Sequence, residues 1–439
     1  MLTSSWNRSR APLSALLMGL LALTLTPSDG AAQQEAPWVS MTLEEALSRA
    51  IKVSPQIVQA QGTVRTTTAA EKTAFGAYLP DLSFNANSSL SSSQRLIPET
   101  GATVTGSSDS YSAGLSTSWD VFTGFRRRSE RQRAQADSQS AQATLAGQRF
   151  VVELSVERAF FDALRAEELI TVAKSRIERA QEGVGFAERR LAVGSATRSD
   201  LLRAQLELNT AREALLQQEN QRLTAALSLG RLVGVDGPVD PAPSGPIDPA
   251  PLKASREEVV ATLVAQAPSV RAAEAAVTAA EASIGTARSQ YYPSVRLSAG
   301  YDWFYQDRGR TSWSVRLGLS YPIFDGFARD ESMVRARTQA EVAQAQLSDT
   351  RRSVRAEAER VLSQLQLVEE RLTLNRQAVE VAQEDLRVQQ ERYRLGATTI
   401  LELLTSQTAL VEAQNNLVGL RFDYVLARAE LQSIVGREL

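Results

Sequence analysis

Trp119-Asp120-Val121-Phe122-Thr123-Gly124-Phe125 returns 202 positions later as Tyr321-Pro322-Ile323-Phe324-Asp325-Gly326-Phe327. Each copy joins an alternating apolar–polar run upstream to a long proline-free run downstream. The same displacement of 202 relates Leu191-Ala192-Val193-Gly194 to Tyr393-Arg394-Leu395-Gly396, and Leu232-Val233-Gly234 to Ile434-Val435-Gly436. Nearer the N-terminus of each copy the displacement is 213: Ser54-Pro55-Gln56 matches Ala267-Pro268-Ser269, and Tyr78-Leu79-Pro80 matches Tyr291-Tyr292-Pro293. One deletion of 11 residues between Pro293 and Tyr321 accounts for the change. Self-similarity at a fixed displacement marks a repeated supersecondary unit, so the chain is a duplication.

The copies are expected at 33–236 and 253–439. Between them, 237–252 is a proline-rich linker; Val235 to Leu252 holds six prolines and little apolar content. Residues 1–32 read as a secretory signal. Arg8 and Arg10 precede an apolar run from Leu13 to Leu25 that is too short to span a bilayer comfortably, and Gly30-Ala31-Ala32 supplies small residues for cleavage before Gln33. With no cysteine near that point, no lipid anchor on the mature N-terminus is expected.

Each copy predicts one order of elements. A helical stretch (Leu43 to Ala77; Arg256 to Gln290) ends at a proline. Two strands follow, then a helix over Arg126 to Ala192 or Ala328 to Arg394, a short Gly-containing turn and a last helix. A helix of that length measures about 100 Å. Its seam alternates spacings of three and four, as Val156, Ala159, Ala163, Ala166, Ile170, Ala173, Ile177, Ala180, Val184, Ala187 and Leu191. That spacing is a coiled-coil seam. The second copy repeats it from Ala358 to Tyr393, interrupted at Asn375 and Gln389.

A plain coiled coil shares those helices, and the strands separate the two readings. Leu82, Phe84 and Ala86 alternate with Ser83, Asn85 and Asn87; Tyr111, Ala113, Leu115, Thr117 and Trp119 alternate with Ser112, Gly114, Ser116, Ser118 and Asp120. In the second copy Val295, Leu297, Ala299, Tyr301 and Trp303 alternate with Arg296, Ser298, Gly300 and Asp302. There Trp313, Val315, Leu317 and Leu319 alternate with Ser314, Arg316 and Gly318. About ten residues per strand, aromatic at the ends of one face and polar on the other, is the pattern of a transmembrane barrel strand. Asn85, Asn87, Asp120, Arg296, Asp302 and Arg316 are therefore expected to face a water-filled lumen. Four strands cannot close, since about eight is the minimum, so closure demands more than one copy. Gln94 to Asp109 is expected to be a long outward loop, and Gln306 to Arg310 a short turn.

The paired turns Leu191-Ala192-Val193-Gly194-Ser195-Ala196-Thr197 and Tyr393-Arg394-Leu395-Gly396-Ala397-Thr398-Thr399 lead into Leu201-Leu202-Arg203-Ala204-Gln205 and Leu403-Leu404-Thr405-Ser406-Gln407. On these motifs, and on the duplicated plan, the chain resembles the TolC / outer-membrane efflux protein family over nearly its whole length. The resemblance implies a mostly α fold with transmembrane β: a homotrimer with a 12-stranded β-barrel and a 12-helix α-barrel tunnel. It implies the outer-membrane exit duct of a tripartite efflux or type I secretion system, with a periplasmic adaptor, an inner-membrane pump and outer-membrane lipid as partners. The turns at Gly194, Ser195, Gly396 and Ala397 would dock the adaptor. Glu402 would ring the constriction, with Thr405 where the family has a second acid. Tyr393 and Asp200 match family lock residues, but the arginine expected between them is Thr398, leaving Arg394 or Arg198 as substitutes.

The residues alone support a plainer reading of several of these. Asp200 and Glu402 suit the first turn of a helix, and glycine suits a tight turn. The basic run Arg126, Arg127, Arg128, Arg131 and Arg133 is a solvated face by default, with lipid phosphate as the other reading. No enzyme is expected: the chain has no histidine and no cysteine, which removes imidazole and thiol chemistry and the usual zinc ligands. No cofactor or metal is expected, and a net charge of −2 gives no pull toward nucleic acid. The competing class is a non-conducting periplasmic coiled-coil structural tether or adhesin.

Overall fold

The computed structural model describes residues 38–96, 98, 101, 103–243, 255–306 and 308–437. The expected signal segment and most of the linker lie outside these.

The first copy runs β1 (Val39–Met41), α1 (Leu43–Val53), α2 (Pro55–Gly76), β2 (Asp81–Leu96), β3 (Thr103–Phe122), α3 (Arg126–Ala192) and α4 (Arg198–Val233). After β4 (Val239–Pro241) the second copy runs α5 (Arg256–Glu258), a π turn, a 3₁₀ turn, α6 (Pro268–Ser289), β5 (Ser294–Gln306), β6 (Arg308–Ser320), α7 (Ala328–Arg394) and α8 (Ile400–Val435). The duplication is exact in length for three helix pairs. α3 and α7 have 67 residues each, α4 and α8 have 36, and α2 and α6 have 22.

The first helical stretch of each copy is two pieces rather than one. Pro55 and Pro268 begin new helices because proline has no N–H to give to the turn before it and suits the first helical position. Before the break, Thr42 and Glu45 cap α1 reciprocally, and Ser54 adopts extended dihedrals.

Alongside the strand-proximal half of the long helices, the order is α2, α3, α6, α7; in the distal half it is α4, α3, α8, α7. The main core sits between, where Ile57, Val156, Leu229, Val233 and Phe422 are fully buried. The linker reading needs a correction here. Its start, Val239–Pro241, is a strand paired in parallel with Val39–Met41, and Val239 is buried in this core. Arg222 fixes the pair from α4, bonding Asp240 at 2.6 Å and lying 4.6 Å over the Trp38 ring.

The sheet runs β2-β3-β5-β6, antiparallel throughout, and β2 and β6 are open edges. Its strands exceed the ten residues expected: 16 and 20 in the first copy, 13 and 13 in the second. The expected loop Gln94–Asp109 is mostly strand, because Ser91 and Ser108 continue the ladder with a 3.0 Å side-chain bond. Among the described residues no helix is long and apolar enough to cross a membrane.

Strand passes to helix through Gly124-Phe125 and Gly326-Phe327, all four at positive φ between 61° and 70°. Arg127 locks the first corner, donating to the Ala77 and Val121 carbonyls at 3.2 and 3.0 Å and stacking on Tyr78. Arg329 does the same at the second, with Pro322, Ile323 and Tyr291. The basic run is thus largely tied to the protein: Arg126 pairs with Glu130 at 3.0 Å, Arg131 lies over Phe75, and Arg133 reaches Asp137.

In the core region of α3, burial pushes the Glu157 carboxyl up to about 7, with the like charge of Glu153 one turn away adding to it. A raised carboxylate favours the folded state fully below its unfolded value and loses that advantage as pH rises through 7. Glu157→Gln therefore raises the denaturation midpoint at pH 8.5, by circular dichroism, and the gain shrinks toward pH 5. A gain independent of pH contradicts this.

Candidate functional site

The tips of the two helical hairpins share one geometry. At the end of α3 the Gly194 N–H donates to Leu191 O at 3.0 Å and the Ser195 N–H to Arg190 O at 2.8 Å. At the end of α7 Gly396 and Ala397 donate to Tyr393 O and Arg392 O at 3.1 and 2.8 Å. Both are Schellman caps, which need a left-handed residue; Gly194 and Gly396 have φ of 75° and 78°. Space is not the reason for glycine at 194, since a Cβ there would meet nothing within 4 Å.

The next helices begin with capping threonines. Asp200 accepts from the Thr197 N–H at 2.9 Å and from its hydroxyl at 2.8 Å, while its own N–H donates back. These bonds, the backbone one foremost, hold the Asp200 carboxyl below the usual carboxylate range. Glu402 occupies the matching position of α8: its N–H donates to Thr399 and its carboxylate takes the Thr398 hydroxyl. It is exposed, as is Thr405, whose hydroxyl turns back to Leu401 O at 2.9 Å. Both acids thus do the work of helix N-termini, whatever else they do.

Tyr393 is 2% exposed in a cluster with Ala187, Ala204, Leu386, Ile400 and Leu403. Burial raises its phenol pKa, opposed by the Arg190 guanidinium beside it. Arg394 bonds Glu391 on its own helix at 3.2 Å. The residue that ties the tips is Arg190, which donates to Tyr393 O at 3.0 Å and Ser195 O at 2.8 Å, with its guanidinium 4.6 Å over the Tyr393 ring. The sequence held a signal for it. Its counterpart 202 positions on is Arg392, which reaches Ala397 O at 3.4 Å as Arg190 reaches Ser195 O. Between the turns lies an open groove of about 540 Å³, lined by Phe186, Val193 and Leu395 with Arg189, Arg190 and Arg394.

The register of the sheet brings the six expected lumen residues onto one face. Asn85, Gly114 and Asp302 share a row, as do Asp120 with Arg296, and Ser118 with Ser298 and Arg316; Asn87 lies opposite Ser112. Asp302 lies over Gly114, where a Cβ would come within 2.3 Å of its carboxylate. Asp120 binds Arg296 at 2.6 Å and meets Arg126 at 3.7 Å, so the helix-proximal end of this face is charge-compensated. Phe304, in the row of Asn87 and Ser112, also belongs to this face and breaks the polar pattern. On the opposite face Phe84, Leu115, Tyr301 and Trp313 form one row, and further out on that face Tyr111 and Tyr305 pair with ring centroids 6.4 Å apart.

The model of the outer membrane efflux protein family matches residues 46–235 and 259–437. The chain belongs to that family. It is therefore an outer-membrane channel that serves efflux or export, from a family of channel proteins. It is 28% identical over 423 residues to the pyoverdine export outer membrane protein OpmQ of Pseudomonas aeruginosa, covering 90% of this chain and 83% of that one. Among solved structures it superposes on CusC with a TM-score of 0.80 at 19% identity, over 93% of this chain and 96% of that one. The outer membrane protein VceC of Vibrio cholerae gives 0.77 at 20%, over 90% and 96%.

Two carbonyl bonds from a partly exposed guanidinium are worth roughly 1–2 kcal/mol together. In this efflux channel Arg190→Ala should loosen the tips and raise single-channel conductance in planar bilayers. Tyr393→Phe should change it far less, because the backbone carbonyl and the ring face that Arg190 holds both remain. A Tyr393→Phe channel as leaky as Arg190→Ala contradicts the assignment.

Proposed function

We propose that three copies of the chain close into a passive duct across the outer membrane and the periplasm, delivered by the N-terminal signal and carrying no lipid anchor. The observation that supports this most is a sheet polar on one face, apolar on the other and open at both edges. The helices are open on the same two sides. Leu367, Leu374, Val381 and Val388 on α7 recur every seven residues and are 48, 63, 69 and 39% exposed. A strict seven-residue stripe is a coiled-coil seam, and within the chain this one is bare. On the other side α4 exposes Leu202, Leu206, Leu216, Leu223 and Leu227. A side that matches the opposite side of another copy makes a head-to-tail interface, which closes into a ring. Three is the number the family relationship implies, giving twelve strands.

The groove between the tips, with Val193 and Leu395 each 77% exposed beside three arginines, is the docking surface for a periplasmic adaptor, with the turns at Gly194, Ser195, Gly396 and Ala397 at its rim. The adaptor joins the duct to an inner-membrane pump that supplies the energy. Glu402 contributes one carboxylate per copy to a ring at the constriction, which favours cations; Asp200, Tyr393 and Thr405 shape the same tip.

The test is ion selectivity in planar bilayers under a salt gradient. Glu402→Ala should move the reversal potential toward the non-selective value while the barrel still conducts. An unchanged reversal potential removes Glu402 from the ring, and absence of any conductance from the parent protein contradicts the duct.

A further inference from the structure

Successive residues of a strand point to opposite faces of its sheet. By that rule and the register, the polar face of this sheet carries a single aromatic among its paired positions, Phe304. Its two neighbours in sequence, Trp303 and Tyr305, point the other way and stack with centroids 6.1 Å apart. Phe304 meets no ring among the described residues and is 49% exposed. Packing within the chain therefore does not explain why a phenylalanine stands in this serine- and asparagine-rich face.

Two opposite charges flank it. Arg310 lies directly across β5–β6 from Phe304, which puts their Cβ atoms about 5 Å apart. Asp302 precedes Phe304 by two positions on the same strand and face, about 7 Å nearer the helices. Among the described residues neither side chain has an ion-pair or hydrogen-bond partner. Nor do the two neutralise each other, although they are diagonal neighbours. Asp302 leans toward β3, where a Cβ on Gly114 would collide with its carboxylate. Glycine at 114 allows that lean, and it carries the acid away from β6 and Arg310. At the helix-proximal end of the same face the charges behave differently, since Asp120 and Arg296 bind each other at 2.6 Å. The outer part of the face thus holds a free carboxylate, an exposed ring and a free guanidinium in one strip.

We propose that this strip is a transit subsite for aromatic zwitterions, small molecules that carry a ring, an ammonium group and a carboxylate. The ring lies on Phe304, the carboxylate meets the Arg310 guanidinium, whose fork matches it, and the ammonium meets Asp302. The other ligand classes fit less well. An aromatic acid leaves Asp302 unanswered, an aromatic amine does the same to Arg310, and a neutral ring uses neither charge. The strip is open to water, so it holds its ligand weakly, as a conduit needs if cargo is to enter and leave. A zwitterion also carries a positive group past the Glu402 carboxylates, which would repel an aromatic anion. This inference rests on the duct reading, in which the polar face lines the lumen, and adds a class of cargo to it.

Fluorine NMR of the detergent-extracted protein tests the subsite with three probes: 4-fluorophenylalanine, its deaminated acid 3-(4-fluorophenyl)propionate and its decarboxylated amine 2-(4-fluorophenyl)ethylamine. With empty micelles as the blank, the zwitterion should broaden at concentrations roughly tenfold or more below those the acid and the amine need, the effect of one charge-assisted contact. Arg310→Ser should reduce the zwitterion to the affinity of the amine, and Asp302→Ser to that of the acid. Phe304→Ser should weaken all three. Equal affinity for the three probes, no binding of any, or a preference that survives these changes overturns the subsite. The lumen is read separately, because the sequence has no cysteine. Phe304→Cys, treated in planar bilayers with a charged methanethiosulfonate, should lose conductance, whereas Leu317→Cys on the opposite face should not. A conductance loss without the binding preference overturns the subsite and leaves the duct standing. Unchanged conductance of labelled Phe304→Cys overturns the duct reading, and the transit role with it.

Discussion

Backbone amide and carbonyl groups in hydrocarbon must bond to one another, because no water is there to take them. The rest of this structure depends on that constraint. The chain belongs to a family of outer-membrane channels, and its four-stranded sheet leaves two rows of unmet groups, along β2 and along β6. A single copy in a bilayer would carry that cost along both edges. Joining one edge to the other in further copies removes it, and the helices that continue from the strands are carried into the same ring.

Duplication makes the ring economical to specify. The helix pairs match residue for residue in length, so neighbouring hairpins end at one level and their caps form one tip. The copies differ where location demands it. Around the tip, Asp200 and Thr197 form a complete reciprocal cap, whereas Glu402 gives its carboxylate to Thr398 and is left more open to solvent. At the corners, Arg127 and Arg329 repeat one clamp on Tyr78 and Tyr291. That clamp stiffens the passage from barrel to tunnel by joining strand end, helix start and the preceding helix in one side chain.

Much of this was legible in the sequence. The seams from Val156 to Leu191 and from Ala358 to Tyr393, the alternation of the strands and the glycines of the turns are periodic or conformational signals, and local chemistry sets them. Other features were not, for physical reasons. Strand ends beyond Tyr111 are rich in serine, so they lack the apolar beat that marks a strand, yet their backbones pair. β4 hid in a proline-rich segment because Pro241 sits at its last position, where a missing N–H does little harm. Arg190 was overlooked because its partner, Tyr393, is 203 residues away, and only comparison of the copies points to it. Arg190, whose guanidinium lies over the Tyr393 ring, stands outside the turn motif on which the resemblance rests.

The central claim is that the open edges are closed by copies of the same chain. Its most direct test is the mass of the detergent-extracted protein by light scattering with the detergent contribution subtracted. The account predicts three times the mass of the mature chain. A mass of one chain, in protein that still conducts, would leave β2 and β6 without partners and contradict it.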